Sequence, residues 1–534
     1  MANHEFWGTR QVEGPFDYVI IGAGMGGMSC AAALAKMGRR VLLLEQHYVP
    51  GGFAQTFRRK HWVWDVGVHM IPEASEDDDF GKLSRILTDG RLQWAPTGDI
   101  YDHYCWPDGF RFDYPTGHER YMHTLCERFP AERVAIERWF ALVEELALAA
   151  PMYFKLRGLP PGVESVGTRL LSRKVLRQAQ VCAKDALDAL TGDERLKAVL
   201  GAQWFYWGTS PRRSWVVANA VAQYGLCRGA YYPVGGADAI SRELLRTVRE
   251  GGGWTRTSAD VTAIIIERGR AVGVRVKGRH GAPDEEIRAG AVISAAGVVS
   301  TVERLLPPEY REKAWGKEVV AQESNVAYVC LYLGFEGDIR EAGASAANLG
   351  YCNTWDLEAT WQITGPDDIG QVPFMWVCFN TLKDPLHDPG PQQRHAGEVM
   401  AIVPWSLFEP WQGSHWRRCP EEYERLKQAI SDALLRQFLA HMPALAPMIK
   451  HVELSTPLST DHFVRPIRGS MYGLHATTER FASKALRPRS PVKGLYFAGN
   501  ETVFMGIVGA AVGGALAALA AEPVRGLRLL RPIL

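Results

Sequence analysis

The chain has 534 residues, more than one ordinary domain holds, so two domains are expected. Sixty basic and 59 acidic side chains leave a formal net charge of +1, which excludes a general attraction to nucleic acid. Nine scattered cysteines without a Cys-x-x-Cys pair point to reduced thiols in a cytosolic compartment, not to a disulfide scaffold or a zinc ribbon.

Residues 1–15 lack the apolar core of a secretory signal. The nearest approach to a membrane span, Gly506 to Ala521, is too short and too rich in Ala and Gly. The first ordered segment runs Tyr18 to Ile21, Gly22-Ala23-Gly24-Met25-Gly26-Gly27, a small-residue helix to Met37, then Val41 to Leu44 closed by Glu45. That is a complete dinucleotide-binding βαβ unit. Gly22 permits the tight turn, Gly24 lets backbone approach a pyrophosphate, and Gly27 lets the helix pack closely. The helix N-terminus offers free N–H groups and partial positive charge to phosphate. Glu45 stands where a carboxylate accepts ribose hydroxyls and repels a 2′-phosphate.

A second glycine doublet follows in Gln46-His47-Tyr48-Val49-Pro50-Gly51-Gly52-Phe53-Ala54-Gln55-Thr56. More bare backbone beside the first turn makes sense for a cofactor that continues past the pyrophosphate, as FAD does. Trp62 to Ile71, with His69, alternates like a strand. Glu73 to Asp79 is acidic and expected as a solvated loop. Helices are expected over Ala131 to Ala149 and, as one or two pieces, over Arg169 to Leu190. Tyr231-Tyr232-Pro233-Val234-Gly235-Gly236 forms a turn. Asp260 to Glu267 and Arg270 to Val276, with Val261 near the start, read as a hairpin. Ala291 to Gly297 is a buried strand ending in small residues, including Ala296 and Gly297. Asp384 to Gln393 is a Pro-rich loop. Gly494 to Glu501 is a strand ending at Gly499, Asn500 and Glu501, and leads to a small-residue helix containing Val508, Gly509 and Ala510. Its N-terminus would stabilise negative charge on a reduced isoalloxazine ring. The last ten residues alternate cations with aliphatics, which leaves open a peripheral membrane contact beside the plainer reading of a docked tail. Seventeen tryptophans, clustered at 62/64, 204/207, 355/361 and 405/411/416, favour a large hydrophobic ligand.

These segments resemble the FAD-dependent family of phytoene desaturases, carotenoid isomerases and retinol saturases, nearest to the retinol saturases, the all-trans-retinol 13,14-reductases. The likeness rests on Val19 to Gly27, Leu43 to His47, Pro50 to Gly52, Tyr231 to Gly236 and Gly506 to Ala510. It extends from Phe16 to about Ala521. Many relatives carry Asp after the C-terminal glycine, where Asn500 and Glu501 stand here. The resemblance implies an α/β fold. A Rossmann-like FAD-binding domain of the two-domain, amine-oxidase-like type would be assembled from 16–95, 229–308 and 455–521. A mixed α+β substrate domain would come from 96–228 and 309–454, followed by a basic–aliphatic tail, 522–534.

The resemblance further implies a flavin oxidoreductase acting on carbon–carbon double bonds of a long polyene or isoprenoid, with saturation favoured. Desaturation, isomerisation and polyene cyclisation remain open, as do a prenyl-binding escort-like protein and an amine oxidase. FAD contacts are expected from Gly22, Ala23, Gly24, Gly26, Gly27, Glu45, Gln46, Gly51, Gly52, Phe53, Thr56, His69, Val261, Ala296, Gly297, Gly499, Asn500, Glu501, Val508, Gly509 and Ala510. No second strand–glycine–helix–acid unit is present, so electrons must pass to or from a diffusible partner such as NAD(P)H or a quinone. Saturation needs a proton donor, and His69, Tyr232 and Glu501 are the leading candidates, with Tyr206 and Tyr472 behind them. No sequence spacing suggests a metal site. A cytoplasmic location, with membrane association open, is the expectation.

Overall fold

A computed structural model describes residues 4–279, 281–414 and 418–533; Trp416 and Leu534 lie outside them. In chain order the nucleotide-binding half is built from β1 (Phe16–Ile21), α1 (Met25–Lys36), β2 (Val41–Leu44), α2 (Asp238–Glu250), β3 (Trp254–Arg256), β4 (Glu285–Ser294), β5 (Leu495–Phe497) and α3 (Gly506–Ala521). The strands pair in parallel in the order β3, β2, β1, β4, β5, with Val19 opposite Leu42 and Ile20 opposite Ile293. Val19, Ile20, Val41 and Leu43 have no exposed surface, as a sheet covered on both faces requires. The expected hairpin, Val261–Glu267 with Arg270–Val276, extends this sheet antiparallel to β4. Arg268 and Gly269 both take positive φ at its tip.

Helix α1 packs between α2 and α3 at close range. A Cβ on Gly27 would lie 1.9 Å from the Gly22 carbonyl, and one on Gly514 2.3 Å from the Gly26 carbonyl. Only glycine fits at either contact. The carboxyl ends of β1, β2, β4 and β5 deliver Gly22, Glu45, Ala295 to Gly297 and Gly499 to one edge of the sheet, where open α/β sheets bind ligands.

A second, seven-stranded sheet has the order Ile449–Ser455, Ala327–Glu336, Arg394–Val403, Phe374–Cys378, Asn348–Cys352, Ile100–Cys105, Arg111–Pro115. Strands from both intervening parts of the chain therefore share one sheet. Helix Glu421–His441 covers one face of it through Tyr423, Ile430, Leu434 and Phe438. The indole N–H groups of Trp62 and Trp64 donate to the carbonyls of Phe335 (3.1 Å) and Leu333 (3.0 Å), which ties the hairpin before His69 to this sheet.

Three expectations need correction. The helix expected to end at Ala149 runs Arg133–Lys155, because its buried stripe continues through Tyr153 and Phe154 beyond Pro151. Residues 161–190 form three helices, Pro161–Leu171, Arg173–Arg177 and Ala183–Leu190. The acidic run at 73–79 is not simply solvated. Asp78 is buried, accepts the Ser75 hydroxyl at 2.5 Å and pairs with Arg228 at 2.5 Å. The tail folds as helix Pro523–Leu530 and packs on α3, with Gly526 against Leu519. Among the described residues no helix is long and apolar enough to cross a membrane.

Candidate functional site

Two clefts meet along the carboxyl edge of the first sheet. The inner one offers about 210 Å³ and the outer one about 340 Å³, and they share Gly24, Gly52, Ala295, Ala296, Val464 and Arg465.

The outer cleft is lined by Gly22, Glu45, Gln46, Val261 and Ser300. Glu45, 6% exposed, accepts the N–H of Ala23 through one oxygen and of His47 through the other, both at 2.8 Å. Burial raises its pKa while these two N–H groups pull it down. The carboxylate is thus fixed beside the glycine turn. Gln46 donates to the Phe463 carbonyl at 2.7 Å, closing the outer wall. Gly51 lines neither of the two clefts; it donates to the Ala23 carbonyl at 2.7 Å, and a Cβ there would lie 2.8 Å from the Gln55 nitrogen. It braces the two glycine turns against each other.

The inner cleft is lined by Gly24, Gly26, Gly52, Phe53, His69, Ala296, Gly297, Gly499, Asn500, Glu501, Gly506 and Ala510 on the nucleotide side. Phe205, Tyr328 and Met400, from the intervening segments, and Met471 and Tyr472, from the last nucleotide-binding segment, complete its lining. Cβ atoms added to Gly24, Gly499 or Gly506 would meet nothing within 4 Å. That bare backbone borders open space, which is the cradle a flat cofactor needs. Asn500 donates to the Tyr472 carbonyl at 2.9 Å. Glu501 is buried at the cleft wall; its carboxylate accepts the Val298 N–H at 2.6 Å, with the buried Arg480 as the nearby countercharge. Burial raises its pKa, but its oxygen is already committed to the backbone after Gly297.

Several expected residues sit elsewhere. Val508 and Gly509 lie on the opposite face of α3 from Gly506, Ile507 and Ala510, because 3.6 residues per turn separates them. They line a separate apolar cavity with Phe154, Val512 and Leu516. Thr56 borders a neighbouring cleft with Tyr48 and Arg59. Ala23 and Gly27 act through backbone packing and hydrogen bonding. Tyr232, 3% exposed, lines neither of the two joined clefts; its hydroxyl donates to Asp65.

His69 does reach the inner cleft, and the fold places unexpected partners behind it. Its Nδ1 lies 2.9 Å from Glu398, a residue 1% exposed. Cys378 donates to the same carboxylate at 2.9 Å and Asn380 at 3.2 Å. Asn380 also donates to Asp65 at 3.0 Å. Lys383 donates to the His69 carbonyl (2.7 Å), Asn348 (2.6 Å) and Asn380 (3.0 Å). Asn348 and Tyr206 in turn bond Asp102 at 3.1 and 2.6 Å. Arg465, paired with Asp260 at 2.6 Å, lines both clefts. None of Glu398, Cys378, Asn380, Lys383 or Arg465 carries a local sequence signal. His69, Cys378 and Glu398 offer ring nitrogen, sulfur and oxygen within 4.8 Å of one another, a grouping that no sequence spacing shows.

Residues 20–87 match the NAD(P)-binding Rossmann-like domain family. The chain is 28% identical over 524 residues to all-trans-retinol 13,14-reductase of Danio rerio, covering 95% of this chain and 86% of that protein. It is 25% identical over 481 residues to chloroplastic prolycopene isomerase 1 of an Oncidium hybrid cultivar, covering 86% and 75%. An oxidoreductase structure from Methanosarcina mazei superposes with a TM-score of 0.62 at 17% identity, covering 93% of this chain and 98% of that one. Cyclohexylamine oxidase from Brevibacterium oxydans gives 0.60 at 18%, covering 96% and 100%. These structures share its fold. The chain is similar over nearly its whole length to all-trans-retinol 13,14-reductases and, over most of it, to prolycopene isomerases.

Proposed function

We propose that the protein binds FAD and uses it to reduce a carbon–carbon double bond in a long apolar polyene or isoprenoid. The observation that carries this reading is the inner cleft, where bare glycine backbone faces Phe205, Tyr328, Met400 and Met471 across a space that His69 also borders. Gly22, Gly24 and the α1 N-terminus would hold the pyrophosphate and Glu45 the ribose. Gly499, Asn500 and the α3 N-terminus would hold the isoalloxazine end. When bound, the flavin supplies or accepts the hydride.

The chain's own residues do the rest. The apolar wall orients a polyene and excludes water from it. His69 Nε2, on the ring edge away from Glu398, holds the proton for the carbon beside the one that receives hydride. Electrons come from a diffusible donor, NAD(P)H or a reduced quinone. Similarity to prolycopene isomerases supports a second reading, isomerisation without net reduction.

The same reading includes contact with a membrane surface, where such a substrate resides. Helix Pro161–Leu171 buries none of its residues and exposes Val163, Val166 and Leu170 along one face, with Leu171 beside them. Arg169, Arg173, Lys174 and Arg177 adjoin them. The tail helix exposes Val524 and Leu527 nearby, since Gly158, just before the first helix, and Gly526 both abut Leu519.

Release of the cofactor and its identification by chromatography tests the first claim. Reoxidation of the anaerobically reduced protein by polyenes tests the second. A protein that holds no flavin and cannot be reconstituted with FAD overturns the proposal.

A further inference from the structure

The buried polar cluster behind His69 is larger than a histidine needs for packing. It holds three carboxyl groups, Asp65, Asp102 and Glu398, exposed by 4%, 0% and 1%, against one ammonium, Lys383, exposed by 4%. Each carboxylate is met by donors. Glu398 receives Cys378 and Asn380; Asp102 receives Tyr206, Asn348 and Gln203; Asp65 receives Tyr232, Asn380 and the Ala237 N–H. Lys383 spends its three hydrogens on the His69, Asn348 and Asn380 oxygens. Lys383 offsets one carboxylate charge, and burial pushes the Asp65 and Asp102 carboxyls up toward their neutral forms, in surroundings where uncompensated charge is costly.

An ionised carboxylate accepts hydrogen bonds only, so Glu398 at 2.9 Å, nearer to His69 Nδ1 than the Asn380 amide nitrogen at 3.1 Å and the Cys378 sulfur at 3.6 Å, favours a proton on Nδ1. The other ring nitrogen, Nε2, is then the one left for the cleft that His69 lines. We propose that Glu398 is the positioning residue of His69: it fixes Nδ1–H toward itself and Nε2 toward the cleft, and its carboxylate, held by Cys378 and Asn380, stands against the imidazolium that serves as proton donor. This deepens the reading of the inner cleft as the reductive site and rests on it. In the step itself, hydride addition leaves the neighbouring carbon electron-rich. The Nε2–H bond breaks as the C–H bond forms, the ring becomes neutral, and solvent returns a proton after product leaves. Glu398, Cys378 and the Asn380 amide lie against His69 Nδ1, while Asp65 is held through Asn380 and Lys383 binds the His69 backbone carbonyl. Burial, and then the Glu398 charge, push the Asp65 carboxyl up from its usual range.

The test uses the flavin-loaded protein labelled with 15N-histidine, with His69→Gln assigning the His69 signals. Long-range 1H–15N spectra read the tautomer and its pH midpoint without any substrate. The expected result is a protonated Nδ1 in the wild type, and in Glu398→Gln a midpoint lower by roughly one pH unit or more, the size of a lost neighbouring charge. Glu398→Asp should restore most of the shift. Cys378→Ala, which removes a donor to Glu398 and the sulfur 3.6 Å from Nδ1 but keeps the carboxylate, should leave the tautomer unchanged and shows whether the cluster tolerates substitution. The reverse tautomer, a midpoint unmoved in Glu398→Gln, or stoichiometric zinc in the purified protein would overturn the proposal. With a reoxidising polyene, Glu398→Gln should slow reoxidation by roughly 10²-fold or more, as loss of a proton donor does. If no polyene reoxidises wild type, the reductive reading fails while the spectra still decide the role of Glu398.

Discussion

The backbones of Gly26 and Gly499 meet in van der Waals contact: a Cβ on Gly26 would fall 2.5 Å from the Gly499 Cα. This joins the first turn of the sequence's opening motif to the last turn of the cofactor site. Gly26→Val should force the two apart, lowering stability by about 1–3 kcal/mol. It should also release bound flavin. Thermal unfolding and the flavin absorbance of the purified variant check both.

Glu45 offers a second test at the other end of the cleft. Glu45→Ala leaves the Ala23 and His47 N–H groups without their acceptor in a buried place, at about 1–3 kcal/mol each. It also removes the ribose acceptor, so flavin affinity should fall roughly 10- to 100-fold. Calorimetric titration of the apoprotein with FAD measures the fall.

Stability should depend on His475 in acid. Burial, then the Arg213 and Arg480 charges, lower its pKa from 6.5 to about 3, while its ring accepts or donates to Thr209 at 3.2 Å. The unfolded chain binds a proton below pH 6.5 that the folded protein refuses until about pH 3. The contribution is therefore complete above pH 6.5 and is lost progressively as pH falls from there toward 3. His475→Gln should flatten this part of the melting temperature versus pH curve. An unchanged slope between pH 6.5 and 4 would contradict the assignment.

Contact with a lipid surface is tested by sedimentation with vesicles. Wild type should bind vesicles of phosphatidylcholine with phosphatidylglycerol, less so at high salt. The double variant Leu170→Glu, Leu171→Glu should bind several-fold more weakly. Leu386→Glu, at an exposed leucine elsewhere on the surface, should bind as wild type does.

The opening βαβ unit was legible because its constraints are local: Gly22, Gly24 and Glu45 serve one turn, one helix end and one strand end within a short stretch. The hairpin at 261–276 was legible by the same logic of alternation and a glycine turn. Val508 and Gly509 were assigned to the cofactor because they belong to the same helix start, but only the helical period decides which face of that start meets the cleft. His69 was visible as a residue and not as a site. Asn380 stands 311 positions from it, and only pairing within the second sheet brings Glu398 and Cys378 to its ring. Tyr232 looked like a proton donor for want of knowing that Asp65 takes its hydroxyl.

Anaerobic reduction of the flavin-loaded protein, followed by mixing with retinoids, carotenoids and other polyenes, tests the central claim most directly. The account predicts rapid return of oxidised-flavin absorbance with a polyene, and a product two hydrogens heavier. A flavin that stays reduced with every polyene offered, or product of unchanged mass formed by the oxidised and reduced protein alike, would contradict it.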